Sequence, residues 1–308
     1  MPEEKIILLL TVRSTSSVIS TPRSAPIQQP INGVINKGRV RLMAPIRVVV
    51  HGASGKMGQE VVKALCHESA MQLVGAVDFK VLEDSLPLPD SPDTVPLSPD
   101  LEKIIAECQP DVIIDFSTAK AVMPAARVAI KQGIHLVIGT TGLSADELAE
   151  IDNLAKEYNV GVVVASNFAL GAVMMIHLAK IAARYFDYAE IIEQHHHLKV
   201  DAPSGTALTT ARSMAEARGK PFSKPLEKGA SDSRGQQVEG IVIHSVRLPG
   251  ILARQEVILG GPGQTLSIKH DTVNRECYMP GVMIAAKEVV KKKGLIYGLD
   301  ALLGLQGV

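Results

Sequence analysis

Two stretches of this 308-residue chain hold residue types and spacings that could do chemistry. The first reads Glu193-Gln194-His195-His196-His197-Leu198-Lys199-Val200-Asp201-Ala202-Pro203-Ser204-Gly205-Thr206-Ala207. Lys199 and a histidine beside it supply positive charge and a transferable proton. Both are needed when hydride addition to a conjugated imine builds negative charge on nitrogen or carbon. Ser204-Gly205-Thr206 precedes a helical run, with a proline and a small polar residue placed as for a helix start. The unpaired amides of such a start make an anion site suited to a carboxylate. Three adjacent histidines raise the question of a metal ion. On a strand, successive side chains alternate faces, so His195 and His197 are expected on one side and His196 on the other. That separation argues against a three-histidine site, and no metal is expected.

The second stretch is Gly52-Ala53-Ser54-Gly55-Lys56-Met57-Gly58, which follows the β-branched run Ile46-Arg47-Val48-Val49-Val50 and opens a segment of helical apolar spacing. Strand, glycine turn and helix in that order let backbone approach a pyrophosphate, which meets the unpaired N–H groups and positive end of the helix. Ser54 occupies the usual second-glycine position, so an ordinary turn stays open as a reading. Asp78 ends the next predicted strand, where a carboxylate would meet an adenine ribose hydroxyl, as expected for NAD. Lys56 and Lys80 are placed to hold a 2′-phosphate instead, so NADPH and NADH both stay open as the cofactor.

These groups must be positioned by an alternation of strands and helices. Strands are predicted at 73–77, 112–116 and 135–138 and helices at 101–107 and 123–132, a pattern that means a parallel sheet covered by helices. Ligands lie at the carboxyl ends of such strands. That position recommends Asp115-Phe116-Ser117-Thr118 and Gly139-Thr140-Thr141-Gly142. Ala165-Ser166-Asn167-Phe168 ends another strand and leaves the unit, which suits a hinge and a wall beside the cofactor. Between residues 81 and 99, Pro, Asp and Ser break all periodicity, so a mobile loop is expected. Beyond Asn167 the grammar changes: a helix at 169–186, an extended run at 190–199, then strands at 241–246, 256–259 and 265–270 between glycine turns. The fold class is therefore α/β, a Rossmann-type parallel-sheet domain plus an α+β domain with a mostly antiparallel sheet. The first is expected to comprise 44–167 and 276–308, with a helix at 282–292 and an apolar tail returning to cover it. The second is expected to comprise 168–275.

Charge excludes several classes. Lys plus Arg and Asp plus Glu number 32 each, so no global field draws in nucleic acid or an anionic membrane surface. A small-molecule partner is expected. Cys66, Cys108 and Cys277 are odd in number and lack a C-x-x-C pair, which argues against a disulfide framework or structural zinc and for a reducing, cytoplasmic compartment. No run of about twenty apolar residues could span a bilayer. Residues 1–43 read as an extension without packed structure: a start at Met43 and an organelle transit peptide, with stromal location, are both open.

The glycine loop with Lys56-Met57-Gly58, Val-Ile-Gly-Thr-Thr-Gly at 137–142, Asn167-Phe168, and above all the string from His195 to Ala207 resemble the 4-hydroxy-tetrahydrodipicolinate reductase, or dihydrodipicolinate reductase, family of lysine and diaminopimelate synthesis. The resemblance runs from about Ile46 to Leu305. It implies that His195 donates or accepts a proton, that Lys199 donates one, and that His196, Gly205 and Thr206 hold the substrate's carboxylates. It also implies cofactor contacts at Gly52, Ala53, Ser54, Gly55, Lys56, Met57, Asp78, Gly139, Thr140, Thr141, Ala165, Ser166, Asn167 and Phe168, and a homotetramer built by the second sheet. The chain departs from the family's common pattern at His197, Leu198 and Tyr278. Two other readings stand beside this one: a reductase of the semialdehyde dehydrogenase sort, which would need an activated cysteine, and a regulator that senses NADP without turnover.

Overall fold

A computed structural model describes residues 44–306, apart from 81–82 and 225–232. The expectation for residues 1–43 lies outside the described residues. The chain begins β1 (Ile46–His51), α1 (Lys56–Cys66), β2 (Met71–Val77), β3 (Ser85–Pro87), β4 (Thr94–Ser98), α2 (Leu101–Cys108), β5 (Val112–Asp115), α3 (Ala119–Lys131), β6 (His135–Ile138), α4 (Ala145–Glu157) and β7 (Gly161–Val164). It continues α5 (Leu170–Ala183), β8 (Tyr188–His195), α6 (Gly205–Arg218), β9 (Gln236–Val238), β10 (Ile241–Arg247), β11 (Ala253–Gly261) and β12 (Gln264–Thr272). A 3₁₀ turn (Arg275–Tyr278), α7 (Met279–Val289), β13 (Gly294–Tyr297) and α8 (Leu299–Leu302) complete it.

The larger sheet has the order β13-β7-β6-β5-β1-β2-β4-β3 and is parallel except for the β3–β4 pair. Its central strands are buried along their whole length: every residue of β5 and of β7 is buried, and all but the terminal Asp115 of β5 are without a polar side chain. Strands covered on both faces need that continuous pattern rather than alternation. Helix α1 packs on one face together with α7, through Val61, Val62 and Leu65 against Val282, Ala286 and Val289. Helices α2, α3 and α4 cover the other face through Ile104, Ile130 and Ile151.

The smaller sheet, β12-β11-β8-β10-β9, is antiparallel except where β8 and β10 run parallel. Here the pattern does alternate: Ala189, Ile191 and Glu193 on β8 and Gln255, Val257 and Leu259 on β11 are buried. That face packs beneath α5 and α6 through Ala179, Ala183, Ala207, Ala211 and Met214. The opposite face carries Tyr188, Ile192, Val246 and Ile258, and no described helix packs on it. Among the described residues no helix is long and apolar enough to cross a membrane.

Three sequence expectations change. The 81–99 segment is not a plain loop: β4 pairs with β2 in parallel and β3 pairs with β4, burying Val95 and Leu97. The extended run at 190–199 ends at His195, because the chain turns and the Lys199 amide donates to the His196 carbonyl at 3.1 Å. The strand alternation argued for the three histidines therefore does not apply to His196 and His197. The apolar tail does not merely cover the first sheet. Its strand β13 extends the edge beside β7.

Candidate active site

The glycine turn is built by close approach. Gly52 has φ +82°, a left-handed conformation that favours glycine, and its amide donates to the Val77 carbonyl at 2.8 Å. A Cβ on Gly58 would lie 2.1 Å from the Gly52 carbonyl oxygen, so only glycine lets α1 start against the turn. Helix α1 opens with no side-chain cap and no acid in its first turn, leaving its leading amides to an anion. Asp78, 6 % exposed, accepts from the Ser54 amide at 2.9 Å and the Lys80 amide at 3.1 Å, tying the end of β2 to the turn. The amides of Gly52, Ala53, Ser54 and Gly55 are bonded within the fold, so the leading amides of α1, beside a buried carboxylate, are what suits a dinucleotide's diphosphate and ribose.

A second buried carboxylate knits the neighbouring loops. Asp115, 2 % exposed, accepts from Thr140 Oγ1 at 2.6 Å and from the Ser117 amide at 3.0 Å, and pairs with His51 Nδ1 at 2.6 Å. The ends of β1, β5 and β6 are thereby fixed to one another. Thr140 was expected to contact the cofactor; its hydroxyl donates to this network. Gly139 is required where it stands because a Cβ there would sit 2.1 Å from the Phe116 ring, which itself packs edge-on to Phe168 with centroids 6.0 Å apart.

The two sheets meet at a cleft of about 380 Å³. Met57, Gly139, Ser166, Asn167 and Phe168 line it from the larger sheet, facing His195, His196 and Lys199 from the turn after β8. Phe116, Leu252, Ala253, Arg275 and Tyr278 complete the wall. Thr206 lies in an adjoining cavity of about 70 Å³, which also touches His195, Asn167, Gln255 and His270. Gly52, Ala53, Ser54, Gly55, Lys56, Asp78, Lys80, Thr140, Thr141, Ala165 and Gly205 do not line the cleft itself. Ala165 borders a different cavity, of about 260 Å³, shared with Ser166 and Asn167. His197 is exposed. Among the described residues no group of three His, Cys, Asp or Glu side chains could hold a metal ion.

At the heart of the turn is Glu193, fully buried. It pairs with His195 Nδ1 at 2.6 Å and accepts from Arg247 Nη1 and Nη2 at 2.9 and 2.8 Å and from the Ser204 amide at 3.1 Å. Burial pushes its carboxyl up, but hydrogen bonds from His195, Arg247 and Ser245 outweigh burial and hold it at about 2. Lys199 Nζ rests on Asp201 Oδ1 at 2.6 Å, and this hydrogen bond holds the Asp201 carboxyl below its usual range. Helix α6 opens with the Ser204 hydroxyl accepting from the Ala207 amide at 3.2 Å, which leaves the amides of Gly205 and Thr206 ahead of it.

Glu193 stands at the head of the string read from the sequence but takes no role there, and Arg247, Arg275, Gln255 and His270 escaped the sequence reading. One signal was available for Glu193: it falls on the inward register of an otherwise apolar strand, where a carboxylate must have partners. None of the cysteines is activated. Burial raises each thiol, aided by Asp90 at Cys66 and Glu107 at Cys108, and that removes the nucleophile a semialdehyde dehydrogenase would need.

A Rossmann-type sheet with an uncapped glycine turn, facing a basic, histidine-bearing cleft on a second sheet, is the architecture of a two-domain oxidoreductase. The comparisons narrow the class. Residues 46–168 match the family model described as dihydrodipicolinate reductase, N-terminus, and residues 171–303 match dihydrodipicolinate reductase, C-terminus. A 4-hydroxy-tetrahydrodipicolinate reductase of Dehalococcoides mccartyi is 56% identical over 263 residues, covering 85% of this chain and 100% of the relative. One from Moorella thermoacetica is 47% identical, covering 85% of this chain and 99% of the relative. A solved structure of dipicolinate-bound dihydrodipicolinate reductase from Paenisporosarcina sp. TG-14 superposes with a TM-score of 0.75 at 41% identity, covering 83% of this chain and 98% of that one. The chain belongs to the dihydrodipicolinate reductase family.

Proposed function

We propose that this protein reduces 4-hydroxy-tetrahydrodipicolinate to tetrahydrodipicolinate with NADPH or NADH, water being lost from the 4-hydroxyl, in lysine and diaminopimelate synthesis. The observation that carries this reading is the shared cleft, in which Met57 and Gly139 of the dinucleotide side face His195, His196 and Lys199. Residues 52–57, Asp78, Gly139–Thr141 and 165–168 would hold the dinucleotide. When bound in its reduced form, that cofactor supplies a hydride.

The chain's own residues do the rest. The amides of Gly205 and Thr206, with His196, hold the substrate's carboxylates and so fix the ring in the cleft. Lys199 Nζ donates a proton where hydride addition has built negative charge, and the His195 imidazole gives or takes the other proton. Closure about residues 165–168 excludes water from the cleft. Asp78 favours a ribose hydroxyl, while Lys56 and Lys80 favour a 2′-phosphate, so both dinucleotides are accepted.

The dinucleotide unit is 44–167 with 276–308 and the substrate unit 168–275; the family matches favour the boundary near residue 168, and the pairing of β13 with β7 favours the return of 276–308, although the C-terminal match itself runs to residue 303. The uncovered sheet face with Tyr188, Ile192, Val246 and Ile258 suits self-association into a homotetramer. Unbridged Cys66, Cys108 and Cys277 suit the cytoplasm.

The test mixes the protein with NADPH, and separately NADH, and the condensation product of pyruvate and aspartate semialdehyde. Protein-dependent loss of the reduced-nicotinamide absorbance is expected. Binding of dinucleotide without that loss would identify a sensor instead.

A further inference from the structure

Three segments that carry the substrate-facing groups of this cleft converge on one buried ion pair. His195 ends β8 and places Nδ1 2.6 Å from Glu193 Oε2. Ser204, which starts the Gly205–Thr206 cradle, donates its amide to Glu193 Oε1 at 3.1 Å. The turn that bears Lys199 is held from the other side, because Arg247 Nη2 donates to the Asp201 carbonyl at 2.6 Å while the same guanidinium grips Glu193 with both nitrogens. An ionised carboxylate only accepts, so the His195 nitrogen facing it must carry hydrogen, and Nε2 is the nitrogen left for proton exchange.

Stability does not require this arrangement. A buried ion pair can often be replaced by well-packed apolar residues at no loss, so what it contributes here is geometry. The parallel register supports that view: β10 places Arg247 opposite His195 and Ser245 opposite Glu193, directing the guanidinium into the turn.

We propose that Glu193, clamped by Arg247, is a positioning residue that fixes His195 with Nε2 presented for proton transfer and keeps Lys199 and the Gly205–Thr206 amides in register with it. The identity of the reaction rests on the function proposed above; the geometry does not.

The experiment uses the full chain and three variants: Glu193→Gln, His195→Gln and the double. Glu193→Gln keeps the shape of the side chain and removes its charge. It is expected to lower kcat by roughly 10²-fold, the scale of a general acid–base contribution, with dinucleotide affinity within about twofold of wild type. The double variant is expected to fall no further than His195→Gln alone, since Glu193 acts through that imidazole. Additive losses, or a wild-type kcat in Glu193→Gln, would overturn the proposal.

A second measurement needs no folded variant at position 193. In ¹⁵N histidine spectra of the wild-type protein above its imidazole pKa, with His195 assigned by difference from His195→Gln, the Nδ1–H tautomer is expected; an Nε2–H tautomer would overturn the proposal. If the wild-type protein fails to turn over substrate, the proposed reaction falls, and the tautomer still decides the role of Glu193.

Discussion

Gly58→Ala is expected to loosen the dinucleotide turn by an amount the structure lets one work out. A Cβ at this position would lie 2.1 Å from Gly52 O and 2.7 Å from Ala53 Cα. Carbon contacts relax only near roughly 3.5 Å, so α1 would have to back away from the turn by about 1 Å. The turn itself cannot yield. The Gly52 amide is bonded to the Val77 carbonyl at 2.8 Å, and the other side of Gly52 already abuts the Phe116 carbonyl. Overpacking against backbone on both sides costs about 3 kcal/mol, the upper part of the usual range. Replacing a helical glycine by alanine returns about 1 kcal/mol. The net loss of about 2 kcal/mol corresponds to a melting temperature lower by roughly 3–4 °C for a chain of this size. Because the displaced α1 amides are those facing the diphosphate, the NADPH dissociation constant should rise by about 10- to 100-fold. Gly55→Ala is the control. Gly55 has φ −71° and ψ 161°, ordinary for alanine, and its Cβ would meet only Gly52 O at 3.2 Å. Its melting temperature should stay within about 2 °C of wild type. Thermal denaturation of the apoprotein and calorimetric titration with NADPH measure both effects. Equal destabilisation by the two substitutions, or a Gly58→Ala protein that melts and binds like wild type, would refute the close-approach reasoning.

Asp78→Ala should raise the dinucleotide dissociation constant by about tenfold or more through loss of a charged hydrogen-bonding group, while kcat at saturating dinucleotide changes little. Lys199→Ala and His195→Ala should do the reverse, lowering kcat by roughly 10²–10⁴-fold with dinucleotide affinity intact. Steady-state kinetics with parallel calorimetry would expose matching losses, which contradict this division. Stability should also depend on pH in a stated direction. Burial is the first cause that holds His135 and His270 below the ordinary imidazole value of 6.5, so the unfolded chain binds protons that the native one refuses, and stability falls as pH drops below that value. Glu193, held at about 2 against an ordinary 4.5, contributes fully above 4.5 and loses that contribution, on the order of 3 kcal/mol, as pH falls from 4.5 toward 2. Urea midpoints between pH 7.5 and 3.5 should decline below 6.5 and more steeply below 4.5; a flat profile would contradict both assignments.

What could be read from the sequence was what is local along it. The turn from Gly52 to Gly58 and the string from His195 to Thr206 each gather residues proposed for the site within a few positions, and the strand and helix on either side of the turn were legible from pattern. Glu193 and Arg247 were not readable in that way, since only the β8–β10 register, set by burial of Ile191, Ile241 and Ile243, brings them together. The β3–β4 pair was hidden for a different reason. Pro96 interrupts the run Thr94-Val95-Pro96-Leu97-Ser98, so the alternation that buries Val95 and Leu97 reads as a turn. The three histidines misled because alternation was assumed to persist beyond His195, whereas the return of Lys199 toward His196 ends the strand there.

Helix starts show how an electroneutral chain makes local anion sites. An acid in the first turn stabilises a helix by about 0.3–1 kcal/mol, so its omission needs a reason. Helices α2 and α4 take that stabilisation: Asp100 caps one with Glu102 beside it, and Ser144 and Glu147 form a capping box on the other. Helices α1 and α6, whose leading amides are those assigned to the diphosphate and the carboxylate, carry no acid in their first turns, a feature they share with α3, α5 and α7. A carboxylate at Lys56 or Thr206 would help the helix and repel its ligand. The same contrast separates the two buried acids near the glycine turn from its helix: Asp78 and Asp115 spend their charge on amides, hydroxyls and an imidazole already in the protein, so neither projects an unpaired charge toward the diphosphate.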